Sequence, residues 1–160
     1  MRIELDAPAA EDTRAIGRAV AEFLVPGDAV ALTGELGAGK TTFVQGAARG
    51  LGFEGTVVSP TFTLVREYRA RLLVHHVDVY RLERVQDVLD LGFEEMADED
   101  GVLLVEWGDA VEGLLPADHL LIELTVPGED ERRRVVITGT GGSWAVRWER
   151  LEQALQGWAG

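Results

Sequence analysis

One short segment of the chain combines glycines, a lysine and a threonine at a spacing that suits phosphate groups. Residues 34–41, with the sequence GELGAGKT, match the pattern G-x-x-x-x-G-K-[ST]. Glycines allow positive φ angles, so that backbone N–H groups can converge on phosphate oxygens. The lysine of such a loop contacts the β- and γ-phosphates of a nucleotide, and the threonine hydroxyl binds Mg²⁺. The expected nucleotide contacts are Gly37, Ala38, Gly39, Lys40, Thr41 and Thr42.

The segments around this loop have the order that the pattern requires. Residues 29–33 form a short apolar run between turn signals, which is typical of a buried strand. A helix is predicted over residues 40–49, followed by glycines at 50 and 52. Upstream, Asp12 or Thr13 is expected to cap a helix whose apolar residues recur every four positions. Strand, loop and helix in this order support a phosphate-binding loop.

A magnesium site needs a further carboxylate near the end of a neighbouring buried strand. Asp78 lies at the end of a β-rich run that starts at Leu72, and Glu106 ends the apolar run 102–105. Either carboxylate is expected to hold Mg²⁺ directly or through water, or to orient an attacking water. Lys40, Asp78 and Glu106 are therefore the candidate catalytic residues, and the division of roles between the two carboxylates stays open.

Several other polar and aromatic residues are candidates for the same site. The segment 59–61 is polar and kinked, like loops that sense a γ-phosphate, and its candidate switch residues are Ser59, Pro60 and Thr61. His75 and His76 lie on opposite faces of a predicted strand, so we expect one of them to be packed rather than catalytic. Trp107 follows Glu106 directly and is a candidate for stacking.

The composition limits the class of protein. The chain has 160 residues, and we expect residues 1–160 to form a single domain. Its net charge of −13 repels nucleic-acid backbones, so direct binding of nucleic acid is not expected. It contains no cysteine and no run of about 18 apolar residues, so no disulfide, thiolate metal site or membrane span is expected. Together these features indicate a cytoplasmic protein.

The missing residue types bear on the nucleotide. The chain has no asparagine, and Lys40 is its single lysine. It therefore lacks the Asn-Lys-x-Asp loop with which G proteins usually read guanine, and ATP is the expected nucleotide. The Leu-Ser-Gly-Gly-Gln signature of transporter-type ATPases is also missing.

The remaining pattern predicts an α/β fold, namely a single P-loop NTPase domain with a mixed central β-sheet flanked by helices. A hairpin is expected from residues 61–68 and 72–80, and a second strand pair from residues 120–126 and 133–140. Helices are expected over residues 85–96 and 143–156.

Four motifs in one order resemble a bacterial family. They are GELGAGKTTF at residues 34–43, SPTFTLV at 59–65, HVDVYRL at 76–82 and VEW at 105–107. With these motifs the chain resembles the TsaE (YjeE) ATPases over about residues 1–140. The resemblance implies a slow ATPase that supports the TsaD–TsaB pair in making threonylcarbamoyladenosine at position 37 of tRNA. It also implies that tRNA is contacted only through those partners.

The resemblance further implies roles for individual residues, with ATP/ADP and Mg²⁺ as cofactors. Thr41 and Glu106 would ligate Mg²⁺, Asp78 would be needed for activity, and residues 59–61 would act as the switch. Thr13 would lie near the adenine. A late basic residue would also approach the nucleotide; the candidates are Arg132, Arg133 and Arg134, of which we select Arg133.

Two other functions remain open. The first is a small-molecule kinase, but kinases of this fold usually add an arginine-bearing lid. The basic cluster at residues 132–134 is instead expected to lie in a hairpin turn. The second is a nucleotide-gated binding module with negligible turnover.

Overall fold

Strands and helices alternate along the part of the chain that the computed structural model describes, which is residues 1–59, 65–79, 92–98, 100–107 and 112–160. The strands are β1 (Arg2–Ala7), β2 (Ala29–Thr33), β3 (Val65–Arg69), β4 (Leu73–Asp78), β5 (Gly101–Glu106), β6 (His119–Thr125) and β7 (Arg133–Thr140). The helices are α1 (Ala10–Ala21), α2 (Lys40–Gly50), α3 (Phe93–Met96) and α4 (Gly142–Leu155), with a 3₁₀ turn at Gln156–Trp158. None of the helices in these ranges is long and apolar enough to cross a membrane.

The strands form one mixed sheet in the order β1-β7-β6-β2-β5-β4-β3. The neighbouring pairs among β6, β2, β5 and β4 are parallel, whereas β3–β4, β6–β7 and β1–β7 are antiparallel pairs. This arrangement confirms the predicted mixed α/β fold. The register places Glu106 opposite Leu32 of β2 and opposite Asp78 of β4. The carboxyl ends of three parallel strands therefore meet at one edge of the sheet.

The central strands are apolar along their whole length because both faces of the sheet are covered. All six residues of β5 are buried, and so are the first four residues of β2. One face packs against α1, α2 and α4, where Trp144 and Trp148 are the largest buried side chains of α4. The other face carries a smaller apolar cluster that includes Phe93 of α3. This double covering places the polar ends of the strands beside a rigid core.

Helices α1 and α2 pack closely because glycines lie at their contact. A Cβ atom at Gly17 would overlap the carbonyl oxygen of Phe43, and one at Gly46 would overlap the carbonyl oxygen of Arg14. The close packing brings Thr13 of α1 to the loop before α2, where a Cβ at Gly39 would lie 3.7 Å from the Thr13 methyl group. The glycines of the helix pair therefore set the distance between α1 and the glycine-rich loop.

The start of α1 differs from the sequence expectation. The helix begins at Ala10, so neither Asp12 nor Thr13 is its cap. The Asp12 carboxylate instead lies inside the first turn, where it accepts a hydrogen bond of 3.1 Å from the Ala9 N–H. A carboxylate at this position satisfies a free donor at the helix start and also favours the helix dipole.

The expectations for the strands were met in most places, with two exceptions. Strand β1 was not predicted. Strand β7 spans the predicted residues 133–140, so the expectation that the basic cluster at residues 132–134 lies in the hairpin turn was wrong for Arg133 and Arg134, which lie in the strand. Both predicted hairpins are present, as β3–β4 and β6–β7. The last helix ends at Leu155, within one residue of its predicted end, and a 3₁₀ turn follows it. Residues 61–64 of one predicted strand, position 80 of the next, and residues 85–91 of a predicted helix lie outside the described residues.

The helix contact predicts that Gly46→Ala destabilises the protein, although alanine is the better helix former by about 1 kcal/mol. The added Cβ has to displace the backbone of Arg14, and overpacking of this kind costs about 1–3 kcal/mol. We therefore expect a lower urea midpoint of unfolding. Gly142→Ala in α4 is the control, because nothing lies within 4 Å of its added Cβ. A Gly46→Ala variant as stable as the wild-type chain would contradict the packing argument.

Candidate nucleotide site

The loop between β2 and α2 has a backbone that only glycine adopts easily. Gly34, Gly37 and Gly39 have φ angles of +146°, +83° and +106°. Residues with a Cβ atom rarely adopt such backbone angles. Gly34 has a second constraint, since a Cβ there would overlap the carbonyl oxygen of Leu124 in β6. The motif glycines are thus required by the local backbone as well as by the phosphate-binding pattern.

Lys40 is buried at the start of α2 and binds its own loop. Its Nζ donates hydrogen bonds to the carbonyl oxygens of Gly34, at 2.6 Å, and Glu35, at 3.1 Å. The ammonium group also lies 3.7 Å from the centre of the Trp107 ring, which is a cation–π distance. Trp107 has a φ of +66°, the only positive value at a residue other than glycine within the described ranges. An uncommon backbone angle at this position holds the indole beside Lys40.

Two carboxylates lie at the sheet edge beside this loop. Asp78 and Glu106 are each 3% exposed, and they are paired positions of the parallel strands β4 and β5. The Thr41 hydroxyl from the first turn of α2 lies 3.0 Å from both carboxylate oxygens of Glu106. The sheet edge therefore brings the predicted metal ligands Thr41 and Glu106 together, with Asp78 adjacent.

His76 and Tyr68 join this polar cluster. The sequence offered His76 only as one of a pair with His75, without choosing between them, and it gave Tyr68 no role. His76 is fully buried, and its Nε2 contacts Oε2 of Glu106. The Tyr68 hydroxyl lies 2.9 Å from Nδ1 of the same ring. Burial raises the pKa of the Tyr68 phenol, and the Glu106 charge adds to that rise while Arg66 and the Val58 hydrogen bond oppose it, so the hydroxyl stays protonated at neutral pH. The sequence did contain a signal for His76. Residues two apart on a strand point to the same face, so His76 lies on the same face of β4 as Asp78.

A cavity of about 440 Å³ opens between the loop and the sheet edge. It is lined by Leu36, Gly37, Gly39, Lys40, Thr41, Thr42, Ser59, Asp78, Glu106 and Trp107. The cavity thus collects most of the residues that the sequence nominated. Pro60 and Thr61 of the candidate switch lie outside the described residues. Within the described ranges, no group of three or more His, Cys, Asp or Glu side chains is arranged to hold a metal.

A smaller cavity of about 110 Å³ lies on another side of the glycine-rich loop. It is lined by Ala10, Thr13, Gly37, Gly39, Thr42, Glu131 and Arg133. The Thr13 hydroxyl oxygen is buried and makes no hydrogen bond in the described structure. The structure therefore brings Thr13 and Arg133 to the same small cavity.

Of the three neighbouring arginines, Arg133 contacts the loop. Its guanidinium donates hydrogen bonds to the carbonyl oxygens of Ala38, at 3.1 Å, and Gly37, at 3.3 Å. Arg134 instead forms an ion pair with Glu4 of β1. Arg132 is exposed, and its backbone N–H binds the Asp130 carboxylate. Arg133 thereby supports the loop from the side of β7.

The fold and the site define an α/β protein with a glycine-rich loop of the phosphate-binding pattern at the carboxyl edge of parallel strands. A family model described as threonylcarbamoyl adenosine biosynthesis protein TsaE matches residues 7–135. The chain belongs to the TsaE family, which confirms the resemblance seen in its motifs.

Individual relatives agree with this assignment. The tRNA threonylcarbamoyladenosine biosynthesis protein TsaE of Bacillus subtilis (strain 168) is 43% identical over 144 residues, 89% of this chain and 89% of that protein. The protein of the same name from Treponema pallidum (strain Nichols) is 42% identical over 127 residues, 79% of this chain and 94% of its own. The crystal structure of Bacillus subtilis YdiB superposes with a TM-score of 0.81 at 35% identity, covering 96% of this chain and 95% of that one.

The contact of Arg133 with the loop predicts that Arg133→Ala loosens residues 34–39. Two hydrogen bonds to loop carbonyls are lost, each worth about 1 kcal/mol. The Ala38 N–H, which donates to the Glu35 carbonyl, should exchange with solvent up to about 30-fold faster, which corresponds to about 2 kcal/mol. Hydrogen exchange followed by NMR or mass spectrometry measures this rate. Arg132→Ala is the matched control and should leave it unchanged; equal rates in the two variants would refute the support by Arg133.

Proposed function

We propose that this chain binds ATP together with Mg²⁺, hydrolyses the ATP slowly, and supports a TsaD–TsaB pair in making threonylcarbamoyladenosine at position 37 of tRNA. The observation that carries the proposal is the meeting of Thr41 and Glu106 on the wall of the larger cavity, at the first turn of the helix that follows the glycine-rich loop. The names of the TsaE relatives support the pathway.

The donor set at Thr41 and Glu106 fits Mg²⁺. Both residues present oxygen ligands, which this hard cation prefers, and protein sites for Mg²⁺ often use one or two carboxylates together with substrate phosphates. Octahedral Mg²⁺ with ligands at about 2.1 Å has neighbouring ligand oxygens about 3 Å apart. The Thr41 and Glu106 oxygens are 3.0 Å apart, so they suit adjacent positions on one ion. A bound Mg²⁺ would neutralise charge that develops on the phosphates.

The other residues of the cavity have complementary roles in this proposal. Lys40 leaves its loop carbonyls for the β- and γ-phosphates, since an ammonium group gains more from phosphate anions than from neutral carbonyls. Asp78 would hold Mg²⁺ directly or through water, or would orient the attacking water. Ser59, with Pro60 and Thr61, senses the γ-phosphate, and Trp107 closes the cavity beside Lys40. Thr13 and Arg133 contact the adenosine end of the nucleotide from the smaller cavity, which is supported by the unpaired hydroxyl of Thr13.

The charge of the chain bears on its partners. A net charge of −13 disfavours direct contact with an RNA backbone, so we propose that tRNA is reached only through TsaD and TsaB. We propose a cytoplasmic location, where tRNA is modified, and that residues 1–160 act as one domain. The energy of ATP binding and hydrolysis then serves to reset the partner complex between turnovers.

This proposal predicts that Lys40→Ala reduces ATP hydrolysis by roughly 100-fold or more, because a charge aimed at the phosphates is removed. Turnover is measured by phosphate release, and folding by circular dichroism. Arg132→Ala removes one positive charge at an exposed position and should hydrolyse ATP like the wild-type chain. A folded Lys40→Ala protein with unchanged hydrolysis would sink the assignment of the loop to ATP.

A second prediction concerns the partners. The isolated chain should hydrolyse ATP slowly, and addition of TsaD and TsaB should raise the rate at least about fivefold, which corresponds to a coupling of about 1 kcal/mol. Hydrolysis rates and ATP dissociation constants with and without the partners provide the test. The regulatory role is wrong if the partners bind this chain and both quantities stay the same.

A further inference from the structure

A buried chain of hydrogen bonds connects four elements of the fold behind the larger cavity. The Tyr68 hydroxyl of β3 contacts His76 of β4 at 2.9 Å, and His76 contacts Glu106 of β5. Glu106 in turn accepts a hydrogen bond of 3.0 Å from Thr41 of α2. His76 is fully buried and Glu106 is 3% exposed, so water does not replace these contacts. The orientation of the Glu106 carboxylate therefore depends on its protein neighbours.

The partners determine which nitrogen of His76 carries a proton. Nε2 faces a carboxylate oxygen, and an ionised carboxylate can only accept hydrogen bonds. Nε2 is thus protonated and donates to Glu106. The Tyr68 hydroxyl donates to the Val58 carbonyl oxygen at 3.5 Å and lies 2.9 Å from Nδ1, so the phenol holds the other side of the ring.

We propose that His76 is a positioning residue that fixes the Glu106 carboxylate for the metal ion. This inference rests on the proposed function, in which Thr41 and Glu106 bind Mg²⁺. The Nε2–H group holds Oε2 of Glu106, and it leaves Oε1 with the Thr41 hydroxyl as its hydrogen-bond partner within the described residues. A carboxylate that is held by one oxygen has already lost its rotational freedom when the protein folds. Binding of the ion therefore carries no further entropy cost for this side chain.

The neighbouring histidine shows that this arrangement is not a general consequence of burial. His75 is 8% exposed and lies on the opposite face of β4. Its Nδ1 makes no hydrogen bond in the described structure and lies 3.7 Å from a carboxylate oxygen of Glu67. His76, by contrast, has a partner on each ring nitrogen. His75 is therefore a matched control for a change of histidine on the same strand.

At its Tyr68 end, the series of hydrogen bonds lies beside Phe53 and Val58, which precede the candidate switch residues 59–61. Tyr68 packs against Phe53, with ring centroids 4.8 Å apart, and its hydroxyl lies near the carbonyl of Val58, the residue before Ser59. The position of His76 is thus defined by the β3–β4 hairpin and by the residues that lead into the switch. Loss of the phenol in Tyr68→Phe should weaken the positioning less than loss of Nε2–H.

The experiment measures how strongly Mg²⁺ and nucleotide assist each other's binding. The probe is a fluorescent ADP analogue, and the readout is the ratio of its dissociation constants in EDTA and in Mg²⁺. His76→Asn places an amide near the Nδ1 position and loses the contact with Glu106, whereas the longer side chain of His76→Gln reaches the Nε2 position. We expect His76→Asn to reduce the ratio by about 10- to 100-fold, the range found when an outer-shell partner of a metal ligand is removed. The ratio should be close to the wild-type value in His76→Gln and equal to it in His75→Asn. The dissociation constant in EDTA should be the same for all variants.

The outcomes separate this inference from the proposed function. A wild-type chain whose nucleotide affinity does not depend on Mg²⁺ contradicts the proposed function and removes the basis of the inference with it. A normal wild-type ratio with an equal ratio in His76→Asn overturns the inference alone. Equal losses in His76→Asn and His76→Gln also overturn it, because they assign the effect to ring packing and not to Nε2–H.

A second measurement does not require any variant at position 76 to fold. The chain has three histidines, so ¹⁵N-labelled imidazoles give few NMR signals, and His75→Asn and His119→Asn assign them. We expect the His76 ring in the wild-type chain to carry its proton on Nε2 and to exchange that proton slowly. Addition of Mg²⁺ to the ADP-bound chain should shift its Nε2 signal. An Nε2 without a proton overturns the positioning role.

Discussion

The burial of one carboxylate, that of Glu106, constrains the positions of the elements around the site. An ionised carboxylate removed from water costs several kcal/mol unless hydrogen-bond donors replace the lost solvent. Glu106 is 3% exposed, and its donors come from Thr41 on α2 and His76 on β4. One buried charge thus fixes the first turn of α2 relative to two parallel strands. Moving α2 or β4 would remove one of the two donors to that charge.

The glycine-rich loop is held in a similar way from two sides. Lys40 binds the carbonyl oxygens in the first half of the loop, and Arg133 binds those of Gly37 and Ala38 in the second half. Both cations therefore engage loop carbonyls, which removes the need for water at these acceptors. Close packing at Gly17 and Gly46 adds α1 to the same unit. The conformation of the loop is consequently held by the protein's own contacts.

Local signals in the sequence were sufficient for most of the fold. Hydrophobic periodicity and turn residues predicted the strand β2, the helix α2 and the two hairpins. The structure contains each of them near the predicted positions. Strand β1 was overlooked although Ile3, Leu5 and Ala7 alternate with polar residues, since its partner β7 lies at the other end of the chain. The start of α1 was misplaced because an acidic residue can serve either as a cap or inside the first turn.

Of the candidate site at the sheet edge, the sequence predicted the residues that lie at the ends of strands. Asp78 and Glu106 were candidates because each lies at the end of a predicted buried strand, and that criterion needs no knowledge of neighbouring side chains. The role of His76 depends on which face of β4 meets the end of β5, and the choice among three consecutive arginines depends on which face of β7 meets the loop. Arg133 and Arg134 point to opposite faces, toward the loop and toward Glu4 respectively. A shift of one residue in the register of β7 would exchange them, and register is set by long-range pairing with β1 and β6 that the local sequence does not contain.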